Sequence, residues 1–469
     1  MFSTLAIVVT LLLLMFFAYR GYSVLILAPI MAILAVFLSG DFLSSIPAYT
    51  DVFMSALSGF LLKFFPIFLL GALFGRLMAD SGAASAIAKT VVQKLGASKA
   101  ILAIILVCAI LTYGGVSLFV VAFAIYPIAK NLFKAADIPK RLIPAAIALG
   151  SFTFTMTALP GTPAIQNAIP IPYYNTNVFA APILGIIGGL VMFVLGWLWL
   201  QSRANKAIAA GEGYGIHEEE EELETVKSYS DASNPRQLSF MMAMIPLVIV
   251  IGLNALLTYL VFPAMDLSAL KSQFPELNIE GSLGLWSIII SLILACIVLI
   301  VLNIGHWHNL QKTINRGTYE SMLPIFNTGS EVGYGAVIAS LAGFVIIRDS
   351  ILNLNPDNPL ISEAVAMTTL AGITGSSSGG LSIALATLGE DYLKMAVAAG
   401  IDPELMHRVA VMAAGGLDTL PHSGAVITLL AICGLTHKQS YLNLAMVTMV
   451  IPIIATVLVI FLGSMFGSF

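Results

Sequence analysis

The sequence predicts an all-α polytopic membrane protein made of two inverted repeats. Each repeat is expected to hold five spanning helices and one re-entrant hairpin, with one of its helices broken. Three observations carry this. Only 10% of the 469 residues are charged and 59% are hydrophobic, whereas soluble domains carry about 25% charged residues. Apolar runs of spanning length recur along nearly the whole chain. Some of these runs are interrupted by Gly, Ser, Thr and Pro, whose freed backbone groups survive in hydrocarbon only when buried in protein or lining a wet cavity.

In chain order, spans are expected near 4–19, 22–39, 56–79, 142–170 and 177–200, then near 239–262, 283–303, 319–347, 405–434 and 441–466. The first basic residue is Arg20, so the opening run lacks the positive stretch of a signal peptide and reads as a retained span. Two further apolar stretches, about 99–134 and 361–399, are broken by TYGGVS at 112–117 and TGSSSGGLS at 374–382. Arms of 14 to 18 residues around Gly/Ser tips favour re-entrant hairpins over pairs of spanning helices. Residues 201–238 form the one long hydrophilic stretch, with Glu218 to Glu222, Lys227 and Arg236. A run of like charge repels itself, so this reads as a solvated linker. It divides the chain into a first repeat, 1–200, and a second, 239–469.

The halves share landmarks. Pro66-Ile67-Phe68 answers Pro324-Ile325-Phe326, with Gly75 and Gly333 nine residues after each proline. The tip Gly114-Gly115-Val116-Ser117 answers Gly379-Gly380-Leu381-Ser382. Ala135-Ala136-Asp137-Ile138-Pro139 answers the stretch from Ala398 to Pro403, and Pro160 answers Pro421. All offsets fall between 258 and 265 residues. Five crossings per half is an odd number, so the second copy must be inverted, a plan that puts the solute site at the repeat interface.

Charge supports one orientation. With both termini outside and 201–238 in the cytoplasm, sixteen Lys and Arg fall inside and four outside, namely Lys271, Arg348, Lys394 and Arg408. That bias fits the positive-inside rule. Reading the hairpins as paired spans would keep the same parity.

The candidate chemistry lies in the interruptions. Residues 151–167 read SFTFTMTALPGTPAIQN, with Pro160 and Pro163 removing two amide donors from a broken helix, 142–170. Its counterpart in 405–434 is GGLDTLPHSG at 415–424. Half-helices restarting at these breaks would aim amides and positive dipole ends at a bound anion. The tips GGVS and SSSGG add amides and hydroxyls that suit a carboxylate, although close helix packing also uses small residues. No Arg or Lys is expected at mid-membrane except Lys63, near a span's start. That favours a single carboxylate on a small hydroxylated substrate over a multiply charged anion. Asp418 is the leading candidate for proton coupling, because a lone intramembrane carboxylate costs several kcal/mol unless protonated or paired. His422, four residues on, is placed to share its proton, contact substrate or form a structural bond to it. Glu331 is read as the other intramembrane acid, equally suited to coupling and to bonding a broken helix. Cys108, Cys296 and Cys433 lie in apolar runs without metal-ligand spacing and read as buried small hydrophobes. No cofactor or metal is expected, and no basic stripe points to nucleic acid.

The runs GITGSSSGGLSIAL at 372–385, MHRVAVMAAGGLDTLPHSGAVITLLAICGLTH at 406–437 and PIFNTGSEVGYGAVIAS at 324–340 resemble the gluconate:proton symporter family of the ion transporter superfamily. Within it the chain looks most similar to the 3-hydroxybutyrate permease branch. The resemblance implies proton-coupled uptake of small hydroxy acids across a bacterial inner membrane. It also implies two hairpins, a dimerising scaffold and an elevator-type transport domain. By the superfamily's pattern, substrate-binding groups are Ser117, Thr155, Thr162 and Asn167 in the first half. In the second they are Ser376, Ser377, Ser378, Thr419 and Ser423, with Gly379, Gly380 and His422 beside them. Sodium-coupled members carry Asn-Thr motifs after a hairpin serine, and this chain lacks a clear pair. Gluconate or another sugar acid, and sodium coupling, stay open as alternatives. A channel is disfavoured by two unlike halves. An intramembrane protease, imitated by Ser377 with His422 or by Gly415-Gly416-Leu417-Asp418, lacks a second aspartate.

Overall fold

The computed structural model describes residues 2–215, 238–355 and 357–469, and among them every regular element is helical. The glutamate run Glu218 to Glu222, Lys227 and Arg236 lie outside the described residues. In the first half, α1 spans Phe2–Tyr19 and α2 Val24–Leu38. A long helix, α3, follows over Ser45–Asp80, then α4 over Ala83–Leu95. Two paired helices, α5 (Ala100–Tyr113) and α6 (Leu118–Ala135), meet at Gly114–Ser117. A short helix, α7 (Ile143–Ser151), precedes a broken stretch, and α8 runs over Pro182–Ala209.

The second half repeats that order. It opens with α9 (Phe240–Ala264) and α10 (Ile279–Leu302). Then come α11 (Leu310–Ser340) and α12 (Phe344–Leu352). The pair α13 (Pro359–Thr374) and α14 (Ser377–Ala398) meets at Gly375 and Ser376. The short α15 (Pro403–Ala414) leads into a break, α16 (Gly424–Ile432) and the long α17 (His437–Phe466).

Six of these helices are long and apolar enough to cross a membrane: α3, α6, α8, α9, α10 and α17. Two bent pairs, the stretch from α4 through α5 at 102° and α11 with α12 at 99°, would bring the number to eight. The ten spans expected from hydropathy are more because apolar runs at 142–170 and 405–434 are not continuous helices, and because α1 and α2 are short. The expected linker also starts later than residue 201, since α8 continues to Ala209. Residues 211–215 then dock on the base of α6. Asp137 Oδ1 accepts the Tyr214 amide at 2.9 Å, and Arg141 forms a two-pronged bond to Glu212 at 2.6 and 2.8 Å.

Two short helices lie innermost. Every residue of α7 is buried, as is every residue of α15 from Leu405 to Ala414. Helix α7, apolar all round, belongs in the interior, whereas α15 carries His407 and Arg408 in with it. The hairpin arms α5 and α13 pack on α7 and α15 respectively, while α3 packs along α11. Buried Arg76 ties α3 to α11 through Asp80 and Glu320, and the Thr313 hydroxyl donates to Asp80 at 2.7 Å. The outer helices α8, α9, α10 and α17 keep large apolar side chains exposed, as lipid-facing helices do. The two breaks therefore end deep inside the fold, between the paired helices.

Candidate functional site

The first break is longer than the sequence suggests. Helix α7 stops at Ser151, and only four-residue turns follow, Phe154–Thr157, Ile165–Ala168 and Ile171–Tyr174, before α8. Pro160, Pro163, Pro170 and Pro172 remove four donors within thirteen residues, so no half-helix can propagate. The expected restart with its dipole therefore exists only in the second half, where α16 begins after Ser423.

Backbone freed by the first break must find partners. Tyr113 donates to Pro160 O at 2.7 Å, and the Gly161 amide donates to Val178 O at 2.9 Å. Most of the rest is done by Arg408. The charge pattern placed it on the outer surface; the structure corrects this, since its side chain is fully buried. Helix α15 enters the core at once after Pro403, which carries Arg408 inward. Its Nε donates to Ala180 O at 3.0 Å. Its Nη1 donates to Thr157 O at 3.4 Å and Asn167 Oδ1 at 3.1 Å. Its Nη2 donates to Val178 O at 3.3 Å and Ala180 O at 2.8 Å. All five N–H donors are thus committed to the protein. The expectation of no buried guanidinium fails, but this one has no donor left for an anion.

The second hairpin tip is where the candidate residues converge. Gly375 turns the chain at φ +65° between α13 and α14. Ser376 caps α14, its Oγ accepting the Gly379 amide at 3.1 Å and lying 3.3 Å from Ser378 Oγ. Ser377 Oγ accepts from Gln166 Nε2 at 3.1 Å, which joins the tip to the first break. Asp418 lies beside the same Ser377 hydroxyl. His422 Nε2 faces Ile373 O at 3.2 Å and packs on Gly375. Asp418 and His422 thus take different partners, and the Asp–His bond entertained from their spacing is absent. Glu331 reaches the tip from α11, and a methyl group at Gly379 would overlap its carboxylate. Gly380 is packed as tightly, with its Cα against the backbone of Ala371 on the other arm.

Buried oxygens without a hydrogen-bond partner gather on these same elements. Five that lie on the break, α11, α14 and the stretch after α15 are Gln166 Oε1, Glu331 Oε2, Ser382 Oγ, Asp418 Oδ1 and Ser423 Oγ. An orphaned buried polar atom costs about 1–3 kcal/mol. Three of the five are carboxyl or amide oxygens, which need donors: protons, hydroxyls or a cation. In the first turn of α14 the Gly379 and Gly380 amides are taken by Ser376, which leaves the Ser377 and Ser378 amides as donors. A solute carrying both a carboxylate and a hydroxyl complements that mixture.

The other expected residues are placed differently. Ser117 begins α6 at the first tip, which packs on Gly75 of α3 and on Pro163 of the break. Thr155 donates to Gly150 O at 2.8 Å, and Thr162 Oγ1 accepts the Ala164 amide at 3.3 Å. Asn167 is committed to Thr162 O, Val178 O and Arg408. Thr419 pairs with Thr448 at 2.7 Å, in a π-helical turn of α17. Sequence reasoning missed three buried groups. Glu363, on α13, shares a short hydrogen bond with Tyr174. His407 lies 2.6 Å from Thr176 Oγ1, and Gln166 was read only as part of the break. An acid inside the apolar run 361–399 was a visible signal for Glu363, so Glu331 and Asp418 are not the only buried acids.

The comparisons agree along the whole chain. A family model described as GntP family permease matches residues 1–466. An uncharacterized transporter of Bacillus subtilis (strain 168), YxjC, is 46% identical over 449 residues, covering 93% of this chain and 94% of that protein. A second uncharacterized transporter, from Haemophilus influenzae, is 34% identical over 123 residues, which are 26% of this chain and 29% of that protein.

Proposed function

The chain belongs to the GntP permease family and is a secondary transporter in the membrane rather than an enzyme, and from that premise we propose that it couples proton entry to uptake of a small hydroxy monocarboxylate such as 3-hydroxybutyrate. The supporting observation is the second hairpin tip. There α14's amides and serine hydroxyls lie beside the unpartnered oxygens of Asp418, Glu331 and Gln166. In this reading Ser376, Ser377 and Ser378 hold the carboxylate, while Gly379 and Gly380, whose amides Ser376 already takes, let the tip pack against Glu331 and Ala371. Ser423, His422 and Gln166 face the hydroxyl, and Asp418 carries the proton with Glu331 in support. Ser117, Thr155, Thr162, Asn167 and Thr419 shape the frame around the break. The saturated donors of Arg408 favour a single carboxylate, since no free guanidinium remains for a second.

The recurrence of helix order between the halves supports an inverted repeat. The two tips would then be gates on opposite sides, the first facing the cytoplasm and the second the outside, with an elevator motion between them. A bacterial inner-membrane homodimer with outer termini and a cytoplasmic 201–238 segment completes the proposal. The test is uptake of radiolabelled 3-hydroxybutyrate into proteoliposomes under an imposed proton or sodium gradient, with gluconate as competitor. Proton-driven uptake resistant to gluconate supports the proposal. Sodium drive would reassign the unpartnered oxygens to a cation, and strong gluconate inhibition would indicate a sugar-acid substrate. Absence of counterflow would favour a channel. Asp418→Asn should abolish proton-driven accumulation while exchange of preloaded substrate stays measurable. Unchanged accumulation would remove Asp418 from coupling.

A further inference from the structure

We propose that Glu363, on the first arm of the second hairpin, binds a proton during the transport cycle and through Tyr174 latches that arm onto the first broken segment. The inference rests on the proton-symport reading above but concerns a different carboxyl. Glu363 is fully buried on α13, away from the tip. Its Oε1 accepts the Tyr174 hydroxyl, and its Oε2 is buried with no partner. Tyr174 ends the short turn Ile171–Tyr174 of the first break and is itself buried. One hydrogen bond therefore serves two buried polar groups and joins the two halves of the chain.

The groups facing Glu363 offer no compensating charge. From α14 comes Tyr392, whose hydroxyl donates to Ser362 O at 3.1 Å, with the further acid Asp391 beside it, while Glu390 and Lys394 pair with each other on the exposed surface. From α15, His407 is turned to Thr176 and Asn167, and Arg408 is saturated by carbonyls and Asn167. From α12, Arg348 and Asp349 pair with each other at the surface. Helix α1 and the Ile451–Phe466 part of α17 carry no Asp, Glu, His, Lys or Arg. The facing titratable groups are thus two tyrosines and the acid Asp391, with no cation.

A carboxylate sealed in such surroundings costs several kcal/mol, whereas a neutral acid does not. The docked arm therefore favours the protonated acid. By thermodynamic reciprocity the bound proton favours the docked arm. In the cycle, Oε2 takes a proton from water when the arm has separated from Tyr174. It keeps that proton while docked and returns it to water on the other side. No other bond changes, and Tyr174 donates to Oε1 throughout the docked state.

The experiment combines two readouts on wild type, Glu363→Gln and Tyr174→Phe in the full-length protein. Infrared spectra at neutral pH should show a protonated-carboxyl C=O component that Glu363→Gln removes and Tyr174→Phe shifts. In proteoliposomes, external acidification should raise wild-type affinity for 3-hydroxybutyrate by about tenfold, a usual coupling strength. Glu363→Gln should reduce that dependence to about threefold, leaving the share that Asp418 carries, with the midpoint displaced in Tyr174→Phe. A pH-dependent wild type with an unchanged Glu363→Gln profile, or no band lost in that variant, overturns the Glu363 proposal alone. A wild type indifferent to pH overturns the symport reading and this inference together.

Discussion

Gly379→Ala tests whether the Glu331 contact at the second tip sets the transporter's working geometry. A Cβ at 379 would stand 2.5 Å from Glu331 Cδ and 3.0 Å from Oε1, and would overlap Oε2. Arm α14 cannot retreat by itself, because Gly380 is already against the backbone of Ala371 on the paired arm α13. The Glu331 side chain must move instead, inside a helix face that is buried from Thr328 to Gly335. Oversized groups in packed interiors cost about 1–3 kcal/mol, which corresponds to roughly 5–150-fold if it falls on the substrate-bound state. The assay is counterflow in proteoliposomes, where affinity is read without a driving gradient, beside thermal unfolding of the purified protein. Gly379→Ala should weaken half-saturation by about tenfold or more. Glu331→Asp, one methylene shorter, should restore much of the loss when combined with it, giving an interaction energy above about 1 kcal/mol in the double-mutant cycle. Wild-type affinity in Gly379→Ala, or additive losses in the pair, would show that the tip does not depend on this contact.

Arg408→Lys should lower thermal stability sharply, by about 3 kcal/mol or more. One ammonium cannot serve Thr157, Val178 and Ala180 together, and each buried carbonyl left unpaired costs about 1–3 kcal/mol; an unfolding midpoint in detergent checks this. Gln166→Leu should leave the fold intact but loosen the second tip by about 1 kcal/mol, read as faster hydrogen exchange over 372–380, because it removes the bond to Ser377. The docking of 211–215 should weaken in acid. The hydrogen bond from Arg141 holds the Glu212 carboxyl below its ordinary value of 4.5. The contact is therefore intact above that pH and is lost as pH falls through the lowered value. Limited proteolysis near residue 212 should then accelerate, and Glu212→Gln should do the same at neutral pH; equal rates in both proteins would remove the Arg141 contact from the anchor.

Hydropathy and helix-breaking residues made the main elements legible. The tips at 114–117 and 375–376 and the breaks after Ser151 and Ala414 were all marked by Gly, Ser and Pro in apolar sequence. Local composition could not show how far a break extends. Four prolines in 160–172 are each visible, yet only the fold shows that they leave turns instead of a half-helix. Arg408 was misplaced because hydropathy treats a charged residue near a run's end as surface. Its burial depends on carbonyls from 157, 178 and 180, more than two hundred residues away in sequence. The pairing of Gln166 with Ser377, and of Tyr174 with Glu363, is likewise long-range and invisible to spacing. Asp418 and Glu331 were found because they stand alone as acids in apolar surroundings. Glu363 meets the same criterion, but it lies in a hairpin arm and not at one of the breaks that mark the candidate chemistry.

The distribution of bonds separates a fixed frame from a releasable tip. The first break is held by five guanidinium donors together with Tyr113 and the Asn167 amide. Removing that set would strand several carbonyls at once, so the break behaves as part of the scaffold around α7 and α15. The second hairpin is joined to that frame through single side-chain contacts, Ser377 to Gln166, Glu363 to Tyr174 and Thr368 to Ala413 O, with His422 closing on Ile373. At about 1 kcal/mol net for each such bond, the polar latch amounts to a few kcal/mol. Moving a two-state equilibrium from one side to the other takes about 5.5 kcal/mol of differential binding. A substrate and a proton that both favour the closed tip can supply energy of that order between them. A latch built like the Arg408 cluster would exceed it. The polar part of the second hairpin's attachment is therefore weak enough for its ligands to control, and the unpartnered oxygens beside it are the groups through which they would do so.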